Sequence, residues 1–229
     1  LGGALLAGLG SWICYMGVEP LMQRFWPRSL VSWSRLLAGR VRDPVVLSHL
    51  LIGLLAGSVF AGVDTIGHLA TELLAGRTLP APATLPETLP FASYTFGTIT
   101  GELFRGFFDA ILLILCLALT RYAIRWPIPA ALLGIGLFSV ERVLTSEYPL
   151  LEVVIFALAQ VLVAYLVVTR YGLLPLAVAN MVNGILGELP FTLDPSRWYA
   201  PMSALGLAVL VLAAISILLF LRNLHWKSP

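Results

Sequence analysis

Apolar residues come along this chain in long even blocks, separated by short polar stretches rich in arginine and proline. The blocks cover about residues 1–18, 45–66, 97–120, 127–144, 149–169, 171–187 and 202–221. Most approach the ~20 residues that carry a helix across a hydrocarbon layer. Helices are the expected form. Within lipid each backbone amide must find its partner in its own segment, and no block alternates with the period of two that marks a strand. The pattern predicts an all-α protein, a polytopic transmembrane helical bundle of about seven spans. The sixth block is short and holds Asn180 and Asn183, which predicts a helix tilted or buried among its neighbours. The first residue is Leu, so a trimmed chain or a piece of a longer polypeptide is expected. Residues 1–18 lack a basic leader and a clear cleavage site and are expected to be a span, not a signal peptide.

Composition agrees with the blocks. The chain of 229 residues is 59% hydrophobic and 11% charged, with a mean hydropathy of +0.93. Soluble domains carry about 25% charge. No basic run interleaved with aromatics points to nucleic acid. Cys14 and Cys116 both lie in apolar blocks and read as small buried thiols, not a disulfide framework.

Charge then assigns sides. Arg24, Arg28, Arg35, Arg40 and Arg42 crowd residues 19–44, and Arg121, Arg125, Arg170, Arg222 and Lys227 fall on the same side of the spans. Arg77, Arg142 and Arg197 fall on the other. The positive-inside rule places the larger group in the cytoplasm, the first residue outside and the C-terminus inside. The connector "PLMQRFWPRSLVSWSRLLAGRVRDP" (20–44) mixes arginines with Trp26 and Trp33. It predicts an interfacial helix, with indoles in the headgroup layer and Arg24, Arg28, Arg35, Arg40 and Arg42 toward the phosphates of anionic lipids. The chain divides into a first span (1–18), the basic connector (19–44), a second span with an outer Pro-rich loop (45–96), a helical core (97–187), and an outer loop, last span and cytoplasmic tail (188–229). Pro80, Pro82, Pro86 and Pro90 predict an extended course for the outer loop.

The stretch "TITGELFRGFFDAILL" (98–113) puts Glu102, Arg105 and Asp109 into an apolar helix, three and four residues apart and so on one face. Ionisable groups in a span are functional candidates by default, since an unpaired one costs several kcal/mol. The alternative is an ion pair that only holds helices together. Arg142, Glu152, Asn180 and Asn183 are candidate partners, and with the three on residues 98–113 they form the expected structural polar network.

"GELFRGFF" (101–108), followed by "YGLLPLAVANMVNGIL" (171–186), resembles the CPBP intramembrane protease family, which includes the CAAX and bacteriocin-processing (Abi) enzymes. The resemblance covers about residues 97–187 and implies a CPBP-like helical core. The family's motifs are Glu-Glu-x-x-x-Arg, Phe-x-x-x-His and His-x-x-x-Asn. They imply a glutamate that activates water, with histidines and an asparagine steadying the oxyanion. Aligned on Phe104-Arg105-Gly106, the two glutamates fall on Thr100 and Gly101. Glu102 is one residue late, about 100° around the helix. The second motif falls on Phe138 and Arg142, and the third on Ala179 and Asn183, so both histidines are replaced. Only Arg105 and Asn183 keep register. The resemblance therefore implies a degenerate, non-catalytic relative. If the chain is active, Glu102, Arg105 and Asn183 would carry the peptidase chemistry.

Residues 19–44 and 171–200 also resemble the membrane region that follows Ser/Thr kinase domains in some bacterial, especially acidobacterial, proteins. That implies a bacterial inner-membrane anchor, sensor or accessory subunit with a protein partner in the membrane. No kinase motif is present in these residues. A transporter or a pigment-binding accessory subunit is a further alternative. No cofactor is expected. Asp64, His68 and Glu72, four apart near the outer end of the second span, are the candidate metal ligands, and His49 or His68 the candidate pigment ligand.

Overall fold

In the computed structural model the described residues are 2–27, 29–75, 91–145, 150–188 and 200–225. They form eight α-helices and no strand: α1 (Gly2–Phe25), α2 (Val31–Leu37), α3 (Pro44–Ala75), α4 (Phe91–Ala123), α5 (Pro127–Thr145), α6 (Leu150–Arg170), α7 (Leu173–Glu188) and α8 (Ala200–His225). Each of the seven apolar blocks corresponds to one helix, the sixth beginning two residues before α7. Two stretches, Pro44–Ile66 of 23 residues and Phe96–Ala123 of 28, are long and apolar enough to cross a membrane. Among the described residues, shorter apolar stretches lie in α5 to α8.

The boundaries follow local chemistry. Asp43 precedes Pro44, an N-cap acid followed by a proline that needs no amide partner. Its Oδ1 accepts the Val45 amide at 2.9 Å. At the end of α2 the Gly39 amide bonds Leu36 O and the Arg40 amide bonds Arg35 O, both at 3.0 Å, the paired bonds of a Schellman stop. Helix α1 runs beyond the expected first span, through Pro20 to Phe25. Tertiary packing carries it there: Val18 and Met22 are fully buried.

Helix α7 is the hub. It lies tightest against α3 and next against α4; α4 also carries α5 and α1, and α6 joins α5 to α3. Small residues set these approaches. A Cβ on Gly57 would stand 2.6 Å from Ala179 O, and one on Gly106 would stand 2.5 Å from the Met181 amide nitrogen. Ala110, Ile111, Ile114 and Leu117 of α4 meet Leu173, Leu176, Ala177 and Ala179 of α7 in the buried core, with Val161 and Ala164 of α6 beside them. Large apolar side chains also cover the outside: Leu55 and Val59 on α3, Leu132, Leu133 and Leu137 on α5, Leu158, Leu162 and Leu166 on α6, and Leu212, Leu218 and Leu219 on α8 are exposed.

The α6–α7 elbow is tied to the basic connector. Gly172 has φ +98°, a left-handed conformation that glycine adopts without strain. A Cβ there would overlap Ser29 O, the same oxygen that accepts the Leu173 amide at 3.1 Å.

Candidate functional site

Glu102, Arg105 and Asp109 lie one turn apart on α4, as their spacing requires. Arg105 Nη1 stands 3.6 Å from Glu102 Oε1, and its Nε 3.9 Å from Asp109 Oδ2. Their surroundings differ. The Glu102 residue is 8% exposed, whereas the Arg105 side chain is 60% exposed. Glu102 is buried because it points across the α4–α7 seam at Gly184, so closely that a Cβ on Gly184 would overlap Oε2. One helical turn further on, Gly106 lets the backbone of α4 meet Met181. Seam and carboxylate are thus one feature: the glycines bring the helices together, and the closed seam covers the acid.

Asn180 and Asn183 of α7 face a different space. With Gln160 they supply the amide groups lining a cavity of about 20 Å³, walled by Phe60, Leu113 and Phe138. One probe sphere needs about 10–15 Å³, so there is room for a single water. The Asn180 amide reaches toward Gly106 O at 3.5 Å, and Gln160 Nε2 toward Phe60 O at 3.5 Å, both long contacts. Asn183 Oδ1 is buried and accepts no hydrogen bond among the described residues. The expected link from Arg105 to that oxygen is therefore not made. Glu102 does not line this cavity. A peptidase needs a base, a water and oxyanion donors within hydrogen-bond reach of one point. Here the acid faces one side of α7 and the amides another.

The remaining motif positions divide. Phe138 lines the cavity and Ala179 is fully buried. The side chains of Arg142 and Glu152 lie outside the described residues, as do those of His68 and Glu72, so Asp64 is the described member of that candidate metal set. Among the described residues no group of three metal-ligating side chains forms. His49 is half-buried, its Nδ1 without a hydrogen-bond partner among the described residues. Its ring centroid is 6.0 Å from that of Tyr171, edge to face.

The basic connector is tied down at several points. Arg35 Nη1 meets both oxygens of Asp43, at 2.9 and 3.0 Å. Burial alone would push the Asp43 carboxyl up, but the Val45 amide, the Arg35 guanidinium and the Val46 amide together hold it below the usual carboxylate range. The Arg42 guanidinium stacks on Phe220 at 5.3 Å, Arg40 is exposed, and Arg28 is outside the described residues. Trp33 differs from the expected interfacial indole. It turns inward and stacks on Phe107 of α4 at 4.9 Å between centroids, because α2 lies against the bundle. Trp26 also packs, half-buried, against the core.

Sequence reading did not find the partnership of Arg24 and Arg121. The end of α1 brings the Arg24 guanidinium within 5.7 Å of the Phe25 ring and 6.0 Å of the Tyr122 ring on α4. Arg121, one residue before Tyr122, donates from Nη1 to Arg125 O at 2.6 Å. Both arginines line one cleft of about 230 Å³. Nor did it find Gly184 as the cover of Glu102. The available signal was a glycine directly after Asn183 on α7 and another directly after Arg105 on α4.

No family model matches this chain, and neither a curated protein nor a solved structure matches it.

Proposed function

We propose that this chain is a polytopic helical protein of the bacterial inner membrane, with a CPBP-like core that no longer performs chemistry. It works by binding, as an anchor, sensor or accessory subunit of a larger membrane assembly. The observation that carries the non-catalytic reading is the closed α4–α7 seam. Glu102 is covered by Gly184 and faced by Arg105, while Asn183 opens on a separate, water-sized cavity. A base without access to water or substrate does no hydrolysis.

The membrane reading is supported by the outer faces. Leu158, Leu162 and Leu166 make an exposed apolar stripe four residues apart on α6, and α3, α5 and α8 carry similar exposed leucines and valines. Soluble monomers rarely expose apolar patches beyond a few hundred Å². The orientation is supported by charge. Arg24, Arg35, Arg40, Arg42, Arg121, Arg125 and Arg170 occupy the ends of α1 to α6 that meet around the connector. That end is the cytoplasmic one under the positive-inside rule. Counting about 20 residues back along α4 from Arg121 reaches Gly101. Glu102 and Arg105 then sit near the outer interface, where an exposed guanidinium can reach headgroups and water.

Two measurements test this reading. Membranes washed with alkaline carbonate are expected to retain the chain, and its release into the wash would contradict the membrane assignment. Purified protein in mild detergent is expected to leave tagged transmembrane peptides intact, with Glu102→Gln indistinguishable from wild type. Cleavage by wild type that Glu102→Gln abolishes would make the chain a peptidase.

A further inference from the structure

We infer that the cleft between α1, α4, α5 and α6 is a binding site for the phosphate of an anionic phospholipid, held by Arg24 and Arg121. The inference rests on the membrane reading and specifies a ligand and a location for it.

Three observations converge on this cleft. Arg24 and Arg121 come from different helices and line the same cleft. Among the described residues no carboxylate forms an ion pair with either, while Arg35 and Arg105 each meet acids. Both are also held in place: Arg24 lies over the Phe25 and Tyr122 rings, and Arg121 donates to Arg125 O. That bond uses one of the five guanidinium N–H donors, leaving the others for an acceptor. Two oriented guanidinium groups beside one space suit a phosphate, whose oxygens accept paired hydrogen bonds.

Size and setting favour a lipid as the source. The cleft, at about 230 Å³, is smaller than the ~300–1,000 Å³ of drug-sized sites. It fits a headgroup whose acyl chains remain outside. Leu117 and Ala130 give it an apolar floor, and α5, which supplies part of its wall, exposes Leu132 and Leu133 elsewhere on its surface for acyl chains. Basic pockets between helices on the cytoplasmic side are where anionic headgroups bind. A larger cleft near Arg40 and Arg42 is a weaker candidate. It is lined by Asp43 as well, and Arg42 stacks on Phe220.

The test is thermal unfolding of the purified full chain in mild detergent, with phosphatidylglycerol, phosphatidylcholine or inorganic phosphate added. Phosphatidylglycerol at about a hundredfold excess over its Kd is expected to raise the wild-type Tm by about 5 °C or more, and the other two additives to leave it unchanged. Arg24→Gln combined with Arg121→Gln is expected to lose most of that rise. Arg40→Gln with Arg42→Gln, which removes the same charge from the same end, is expected to keep it. No response of wild type to phosphatidylglycerol, equal loss in both double variants, or full reproduction of the shift by inorganic phosphate would each overturn the inference. A photoactivatable phosphatidylglycerol gives a readout on wild type alone. Crosslinks at the peptides containing Trp26 or Tyr165 support the cleft, and crosslinks only elsewhere sink it. A chain that resists carbonate but ignores phosphatidylglycerol loses this site and keeps its membrane assignment.

Discussion

Arg105 and Arg121 stand on the same helix, about 24 Å apart along its axis, in opposite circumstances. Arg105 has a carboxylate one turn to either side, and one of them, Glu102, is shut against Gly184. Arg121 shares its cleft with a second arginine and no acid among the described residues. At the first end, the arginine meets acids of its own helix, one of them closed against α7 at Gly184. At the second, no acid among the described residues meets either arginine, and the inferred phosphate would supply the counter-charge. Two sites built from similar residue types thus point to different work because their counter-charges differ.

The largest effects are expected where backbone meets backbone. Gly106→Ala drives a methyl into the main chain at Met181, and Gly172→Ala combines a left-handed backbone with a collision at Ser29. Each is expected to destabilise by about 1–3 kcal/mol in reversible unfolding in detergent. Gly184→Ala is a sharper probe, since the atom it meets is the movable tip of Glu102. Its cost is expected to depend on that tip. In a double-mutant cycle with Glu102→Ala, the pair should be coupled by about 0.5–3 kcal/mol, with Gly184→Ala nearly silent once the carboxylate is gone. Additive effects would mean the acid does not lie in the seam.

Much of the arrangement was legible beforehand, and the omissions have a common cause. Block length and evenness located seven of the eight helices among the described residues, all but the short α2, and the spacing of Glu102, Arg105 and Asp109 announced a shared face. Both signals are local. The end of α1 was missed because burial of Val18 and Met22 carries the helix through Pro20, a tertiary effect that overrides a local breaker. Trp33 was expected at the lipid surface because its neighbours are arginines, yet Phe107, far along the chain, holds it inward. The Gly184 cover and the Arg24–Arg121 cleft likewise exist only once helices distant in sequence touch.

Smaller effects separate the arginine end further. Asp43→Ala removes the cap of α3 and the partner of Arg35, and is expected to cost about 1 kcal/mol. Because the folded Asp43 carboxyl sits below its ordinary value of 3.8, its contribution is present above that pH and fades as the pH falls through the folded value. Asp43→Asn retains a cap but cannot titrate. Comparing its Tm with that of wild type between about pH 3 and 6 should show the wild type losing its advantage toward the acid end. Arg105→Gln is expected to change stability least, by about 1 kcal/mol or less, since that side chain is largely exposed.

The closed seam is tested most directly by the chemical accessibility of Glu102 in the folded protein. Membranes holding the chain are treated with a water-soluble carbodiimide and an amine, and modified carboxyls are read by peptide mass spectrometry. The half-buried Glu19, on the outer surface of α1, is expected to be modified, while Glu102 stays unmodified until the protein is unfolded. Modification of Glu102 in the folded state at a rate like that of Glu19 would mean the acid faces an open, wet cavity, and the non-catalytic reading would fail.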